Sequence, residues 1–173
     1  MANTYTLIAS STVGSGGAAN ITLSTIPSTY TDLAIMCSLR GAAAANEVSV
    51  TLQFNGSSSG YSTRWIRGNG AAASSGTDTY GTDEFYMGEI PGSTATASTF
   101  GNAIIYMPNY TTSNNKSISV DSVSENNATT AWAYLTAGLW SNSAAITSIL
   151  LQPTGGSNFA QYSTAYLYGI SNS

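Results

Sequence analysis

The chain contains no histidine, and that absence removes more chemistry than any single residue supplies. Without it there is no ordinary general base near neutral pH, no Ser–His or Cys–His nucleophile pair, and none of the commonest zinc ligand. Cysteine is nearly as scarce. Cys37 stands alone, so no internal disulfide can form, and its place in an alternating apolar stretch reads as core packing. Charge is also sparse: Asp, Glu, Lys and Arg make up 7% of the chain, against about 25% in an ordinary globular protein. The basic residues are Arg40, Arg64, Arg67 and Lys116, and the net charge is −4. Four scattered cations cannot form the footprint that neutralises nucleic-acid phosphates, and an anionic membrane surface is disfavoured for the same reason. No apolar run approaches the roughly 18 residues of a membrane-spanning helix. The stretch Met1–Ile8 has neither a basic region nor a long apolar core, so no signal peptide is expected and the protein should be made and remain soluble in a cytosol.

Phosphate-cradling loops are missing too, both the Walker type and Gly-x-Gly-x-x-Gly at a strand-to-helix junction. Carboxylates do cluster along the chain: Asp83, Glu84 and Glu89 in one place, Asp121 and Glu125 in another. Nothing around them specifies a cleft flanked by two acids, as glycoside hydrolysis needs. Asp78, Asp83 and Glu84 could offer oxygens to a calcium ion, but without EF-hand spacing. Solvated loop charges are the expected reading. No catalytic residue, no cofactor and no metal ligand is therefore assigned, and the chain reads as a non-enzyme.

What is present is a period of two. Val48, Val50, Leu52 and Phe54 alternate with Glu47, Ser49, Thr51 and Gln53; Leu33, Ile35, Cys37 and Leu39 alternate with Asp32, Ala34, Met36, Ser38 and Arg40; Ile118 and Val120 alternate with Ser117, Ser119 and Asp121. Each predicts a half-buried antiparallel strand. Further strands are expected at 4–10, 20–24, 61–67, 99–107, 131–140, 146–151 and 164–170, about ten in all. Turn clusters separate them: Gly14-Ser-Gly-Gly, Asn55-Gly-Ser-Ser-Ser-Gly, Pro91-Gly-Ser, a stretch from Pro108, and Pro153-Thr-Gly-Gly. The longest irregular stretch is expected from Gly68 to about Asp83. The 173 residues suffice for one domain with a real core, and no linker, heptad seam or repeat divides them. The expected fold is all-β: one antiparallel β-sandwich over 1–173, jelly-roll-like, of about 8–10 strands, in which closure protects sheet edges that carry few charges.

Two places stand out as candidate interaction sites. Trp132, Tyr134 and Trp140 share one parity of their strand, while Ala131, Ala133, Leu135, Ala137 and Leu139 share the other. Neither face is polar, so a partner could cover the second, or its small residues could simply face solvent. Around the long stretch, Tyr61, Trp65, Tyr80, Phe85 and Tyr86 lie beside Arg64 and Arg67, and Tyr, Trp and Arg are enriched at protein interfaces. The candidate interface residues are thus Arg64, Trp65, Arg67, Tyr80, Phe85, Tyr86, Ala131 and Ala133, with core packing and sugar stacking as the other readings of the aromatics.

The opening stretch, with Tyr5-Thr-Leu-Ile, Gly14-Ser-Gly-Gly, Ile21-Thr-Leu and Ile26-Pro-Ser-Thr-Tyr-Thr-Asp-Leu, followed by a strand carrying Arg40, resembles small virion proteins of tailed phages, especially those of cyanobacteria and other aquatic bacteria. The closing Ala165-Tyr-Leu-Tyr-Gly-Ile resembles the same group. The layout agrees along the whole chain; the specific motifs cover the first forty residues or so and the last ten. The resemblance implies a virion structural role after synthesis in a bacterial host's cytoplasm: capsid decoration (cement), head fibre, or a tail-appendage module that recognises host glycans. The strand that begins near Thr4 leaves no stalk before it, which favours a decoration protein, expected as a homotrimer, that bridges major capsid protein or other virion subunits. Glycan remains a possible ligand, and no catalytic motif comes with the family.

The alternation itself is testable. Leu33, Ile35, Val48, Val50, Leu52, Ile118 and Val120 should be buried, and Leu52→Asp should abolish folding by placing an unpaired charge in the core. Far-UV circular dichroism and soluble yield check this; a soluble, native-like variant would refute the strand assignment.

Overall fold

In the computed structural model, residues 4–77, 82–127 and 131–171 are described. They form twelve strands: β1 (Tyr5–Thr12), β2 (Ile21–Leu23), β3 (Asp32–Leu39), β4 (Glu47–Phe54), β5 (Tyr61–Gly68), β6 (Ala73–Thr77), β7 (Phe85–Pro91), β8 (Gly101–Met107), β9 (Lys116–Ser124), β10 (Trp132–Trp140), β11 (Ile149–Pro153) and β12 (Thr164–Ile170). One sheet has eight strands in the order β1-β12-β3-β8-β9-β10-β5-β6, and the other has four, β2-β11-β4-β7. Every pairing among them is antiparallel.

The two orders nest. β1-β12-β3-β8 lies on one sheet and β2-β11-β4-β7 on the other, so first pairs with last, second with next to last, and the chain is rolled up as a doubled ribbon. That is jelly-roll wiring, two Greek keys across two sheets. The β5–β6 and β9–β10 hairpins are additions to this frame. Both extend the first sheet past β8 and double its width.

The sheets meet through the expected alternation. Leu33, Ile35, Val50, Leu52 and Val120 are completely shielded, and Val48 and Ile118 nearly so. Phe54, Tyr61 and Trp140 form an aromatic cluster at one end of the core, with Tyr61 and Trp140 stacked at 6.1 Å. Tyr61 also accepts a hydrogen bond from the Phe54 backbone N–H at 2.7 Å, which ties down the turn between β4 and β5. Cys37 is buried, and desolvation pushes its thiol up to about 12, so it packs as an apolar group rather than reacting as a thiolate. Gly138 lets the added strands sit close: a Cβ there would stand 1.9 Å from the Phe85 ring.

Two strands depart from the sequence expectation. β6 occupies the middle of the stretch expected to be irregular. Its Ala-Ser-Ser-Gly-Thr is almost entirely exposed; it is an edge strand paired to β5 and held further by hydrogen bonds from Trp65 to the Thr77 carbonyl and from Arg67 to Ser74 Oγ, so no apolar period betrays it. β7 is buried at nearly every position. A register shift opposite Val50/Thr51 breaks its alternation, as a bulge does.

Arg40 accounts for the connection between β7 and β8. It is 9% exposed and has no carboxylate partner among the described residues. Its guanidinium donates to the carbonyls of Thr96 (2.8 Å), Thr99 (2.7 Å) and Ala95 (3.1 Å), with Ser93 at 3.5 Å. Hydrogen bonds from a charged donor are strong, and buried carbonyls left without donors are costly. Arg40→Met should therefore lose about 2–4 kcal/mol of unfolding free energy in urea. An unchanged midpoint would show that the connection holds itself.

Candidate protein-binding face

Period two sorts the candidate residues before any contact is measured. On β5, Arg64 lies three residues from Arg67, so the two point to opposite faces. Arg64 and Ile66 face outward on the large sheet; Trp65 and Arg67 face inward. On β10, Ala133, Leu135 and Ala137 face outward and are exposed, whereas Tyr134 and Trp140 are buried and Trp132 is half-buried. Ala131, half-buried, precedes the strand. Phe85 and Tyr86 are buried, Phe85 against Gly138 and Tyr86 edge-on to Tyr134. They pack within the domain instead of lining its surface, because β7 is covered on both faces. Tyr80 and Asp78 lie outside the described residues. The eight candidates therefore do not make one site: Arg64 and Ala133 share the outer face, while Trp65, Arg67 and Tyr86 belong to an inward cluster.

That inward cluster is a closed polar knot. The Arg67 guanidinium lies 4.0 Å from the Trp132 ring centre and 4.9 Å from that of Trp65. Its Nη1 donates to Tyr134 Oη at 2.7 Å and stands 3.9 Å from Glu89 Oε1. Gly76 lets the Trp65 ring lie flat on β6; a Cβ there would be 2.6 Å from the ring. Glu47, at the start of β4, joins the knot beside Glu89. Desolvation first, then hydrogen bonding to Glu89 and its negative charge, push the Glu47 carboxyl up to about 8, while Trp132 and Arg67 pull it the other way. Burial and the neighbouring Glu89 thus favour the protonated form of Glu47.

Of the acids considered for a cation, Glu84 has its carboxylate engaged within the domain. The Glu84 carboxylate accepts from Thr51 Oγ1 and, at 2.7 Å, from Gln152 Nε2, and the Asp83 backbone carbonyl accepts from Gln53. Among the described residues no three His, Cys, Asp or Glu side chains gather as a metal site.

The outer face of the eight-stranded sheet is the feature the candidate set only touched. The registers place Tyr166, Met36, Ile104, Asp121, Leu135 and Ile66 side by side in one row across six strands. Of these, Ile66 is 56% exposed, Leu135 54% and Ile104 51%. The neighbouring row runs Tyr168, Ala34, Tyr106, Ser119, Ala137 and Arg64. Leu7 and Tyr5 extend the apolar surface onto β1, each 52% exposed. A shallow depression of about 360 Å³ lies against Ile66, Gly68, Ala73, Ala133 and Leu135. Scattered exposed apolar side chains are ordinary; a band of this width, broken at β9 by Asp121 and Ser119, makes the face a candidate contact surface. Its signal in the sequence was large apolar residues on the supposedly polar parity: Met36 in β3, Ile104 and Tyr106 in β8, Ile66 in β5.

Compared with known proteins, the chain matches no protein-family model, no curated protein and no solved structure.

The polar knot predicts a pH dependence. Folded Glu47 holds its proton up to about 8, whereas its unperturbed value is 4.5, so folding takes up a proton between those limits. The contribution is complete below the lower value and lost as pH rises through the upper one. The thermal midpoint should fall from about pH 5 to about pH 8. Glu47→Gln, which carries no titratable carboxyl, should flatten that decline; an equally steep fall in the variant would place its origin elsewhere.

Proposed function

We propose that this chain is a structural subunit of a tailed-phage virion, a capsid decoration protein that binds and bridges other virion subunits and performs no catalysis. The virion setting rests on the resemblance carried by the residues from Tyr5 to Leu33, by Arg40 and by the closing Ala165–Ile170 segment. The mode of action rests on one observation, the uncovered apolar band across the large sheet. A domain with so few charges is weakly repelled by neighbours. A broad sheet face with aliphatic and tyrosine side chains supports binding by area, at about 25 cal/mol per Å² of apolar surface, offset by the entropy of association. Synthesis in the host cytoplasm and assembly there onto major capsid protein complete the reading.

The runner-up, a module that stacks host glycans on exposed aromatics, is less well supported. The Trp65 and Trp132 rings are already packed against Arg67, and Trp65 against Gly76, so neither offers a vacant platform.

Ile66→Asp combined with Leu135→Asp tests the face. Both side chains are more than half exposed, so the double variant should fold and keep its circular dichroism. Wild-type protein should co-sediment with phage shells stripped of it, and the variant should stay in the supernatant. Equal binding by the variant, or no binding by the wild type, would overturn the proposal.

A further inference from the structure

The charges on the outer face are few, and their positions single out an occupant. All four basic residues of the chain are among those described. Arg40 and Lys116 are buried on backbone carbonyls, and Arg67 is held between Trp132 and Trp65. Arg64 is the one exposed cation among the described residues. It projects from the outer face with no carboxylate partner, its Nη1 turned back to the Thr63 carbonyl at 2.8 Å. Asp121 is exposed on the same face, between Ile104 and Leu135 in the apolar row, and its side chain makes no hydrogen bond or ion pair among the described residues. One lone anion and one lone cation sit on either side of β10, Asp121 level with Leu135 and Arg64 level with Ala137.

We propose that this face binds a second copy of the same chain, in an isologous contact that sets Asp121 of each copy against Arg64 of the other. The inference rests on the reading of the outer face as an interface and deepens it: the first virion subunit that the face binds is a second copy of the chain, and a two-fold pair takes the place of the homotrimer expected from the sequence. The geometry is that of a two-fold axis lying in the plane between two stacked sheets. Drawn midway between Asp121 and Arg64, such an axis crosses β10 at Thr136 and passes between Leu135 and Ile66, which are direct cross-strand partners. The rotation therefore makes two equivalent ion pairs and stacks the two Leu135–Ile66 pairs on each other at the centre. The strands of the two copies cross steeply, nearer to orthogonal than to aligned sheet packing. At a crossing this steep the two faces overlap over about one strand length in each direction, about 500 Å² from each copy, at the small end of specific interfaces, so the two ion pairs carry much of the selectivity. A self-complementary patch is what a two-fold contact requires, and an ion pair within an apolar rim fixes the register while the apolar band contributes area.

Charge exchange tests this on the full chain. Sedimentation equilibrium of the wild type should give twice the chain mass of 17.8 kDa. Arg64→Asp and Asp121→Arg, each placing like charges together at both symmetry-related positions, should each weaken self-association at least about tenfold. The combined Arg64→Asp, Asp121→Arg variant should recover the wild-type dimer. A wild type that remains a single chain at millimolar concentration, a three-chain mass, or single variants that associate normally would each overturn the pairing. So would failure of the combined variant to recover, with circular dichroism showing it folded. The two proposals separate cleanly. If the Ile66→Asp, Leu135→Asp variant fails to bind shells while the wild type is a monomer, the face is an interface but its occupant is another protein. If that variant binds shells normally while the wild type is a charge-dependent dimer, the reverse holds.

Discussion

The rest of this structure depends on a mismatch of area: eight strands share one core with four. Burial of apolar surface drives the two sheets together, but the smaller one cannot cover the larger from edge to edge. The jelly-roll frame alone is balanced, four strands against four. The imbalance enters with the β5–β6 and β9–β10 hairpins, which widen one sheet only. The inward side of that extension is closed by packing Phe85 onto Gly138 and Tyr86 onto Tyr134, and by the knot of Arg67, Trp132, Trp65, Glu47 and Glu89. None of the described residues covers its outward side. The apolar band runs across both parts, with Tyr166, Met36 and Ile104 on the frame and Leu135 and Ile66 on the added hairpins.

The scarcity of charge makes each charged residue specific. Arg40 and Lys116 are buried with carbonyl oxygens as their acceptors, and desolvation lowers the proton affinity of Lys116. Asp32, also buried, accepts from Tyr106 Oη and the Asn109 backbone N–H, each at 2.8 Å. These groups act as clamps on connections: Arg40 on the one between β7 and β8, Lys116 and Asp32 on the one between β8 and β9. The clamps leave little net charge on the surface, whose polarity comes from Ser, Thr and Asn. Such a surface tolerates close neighbours, which suits a protein whose role is contact.

Much of the fold was legible because period two survives wherever one face of a strand is dry and the other wet. β3, β4 and β9 obey it, and the residues it marked as core are core. It failed where that condition failed. β6 has no dry face, so its sequence carries no period; β7 has two, and a bulge besides. The site was legible only in fragments. Of the candidate residues, Arg64 and Ala133 lie on the outer face, while residue type drew Trp65, Arg67, Phe85 and Tyr86 into the same group. Parity along β5 already separates Arg64 from Arg67. What parity could not give is that Phe85 and Tyr86 lie beneath β10, a contact between strands about fifty residues apart in sequence.

By itself the sequence determined the class of the molecule: strands rather than helices, paired in an antiparallel sandwich, with Cys37 in a core position. Those properties are local, fixed by composition and by the two-residue repeat of an extended chain. Only the tertiary structure decided which strands became neighbours, because antiparallel pairing joins segments by register and not by sequence distance. Ile66, Leu135, Asp121, Ile104, Met36 and Tyr166 come from six strands spread over a hundred residues. They form one row because the antiparallel registers set them level with one another across the sheet.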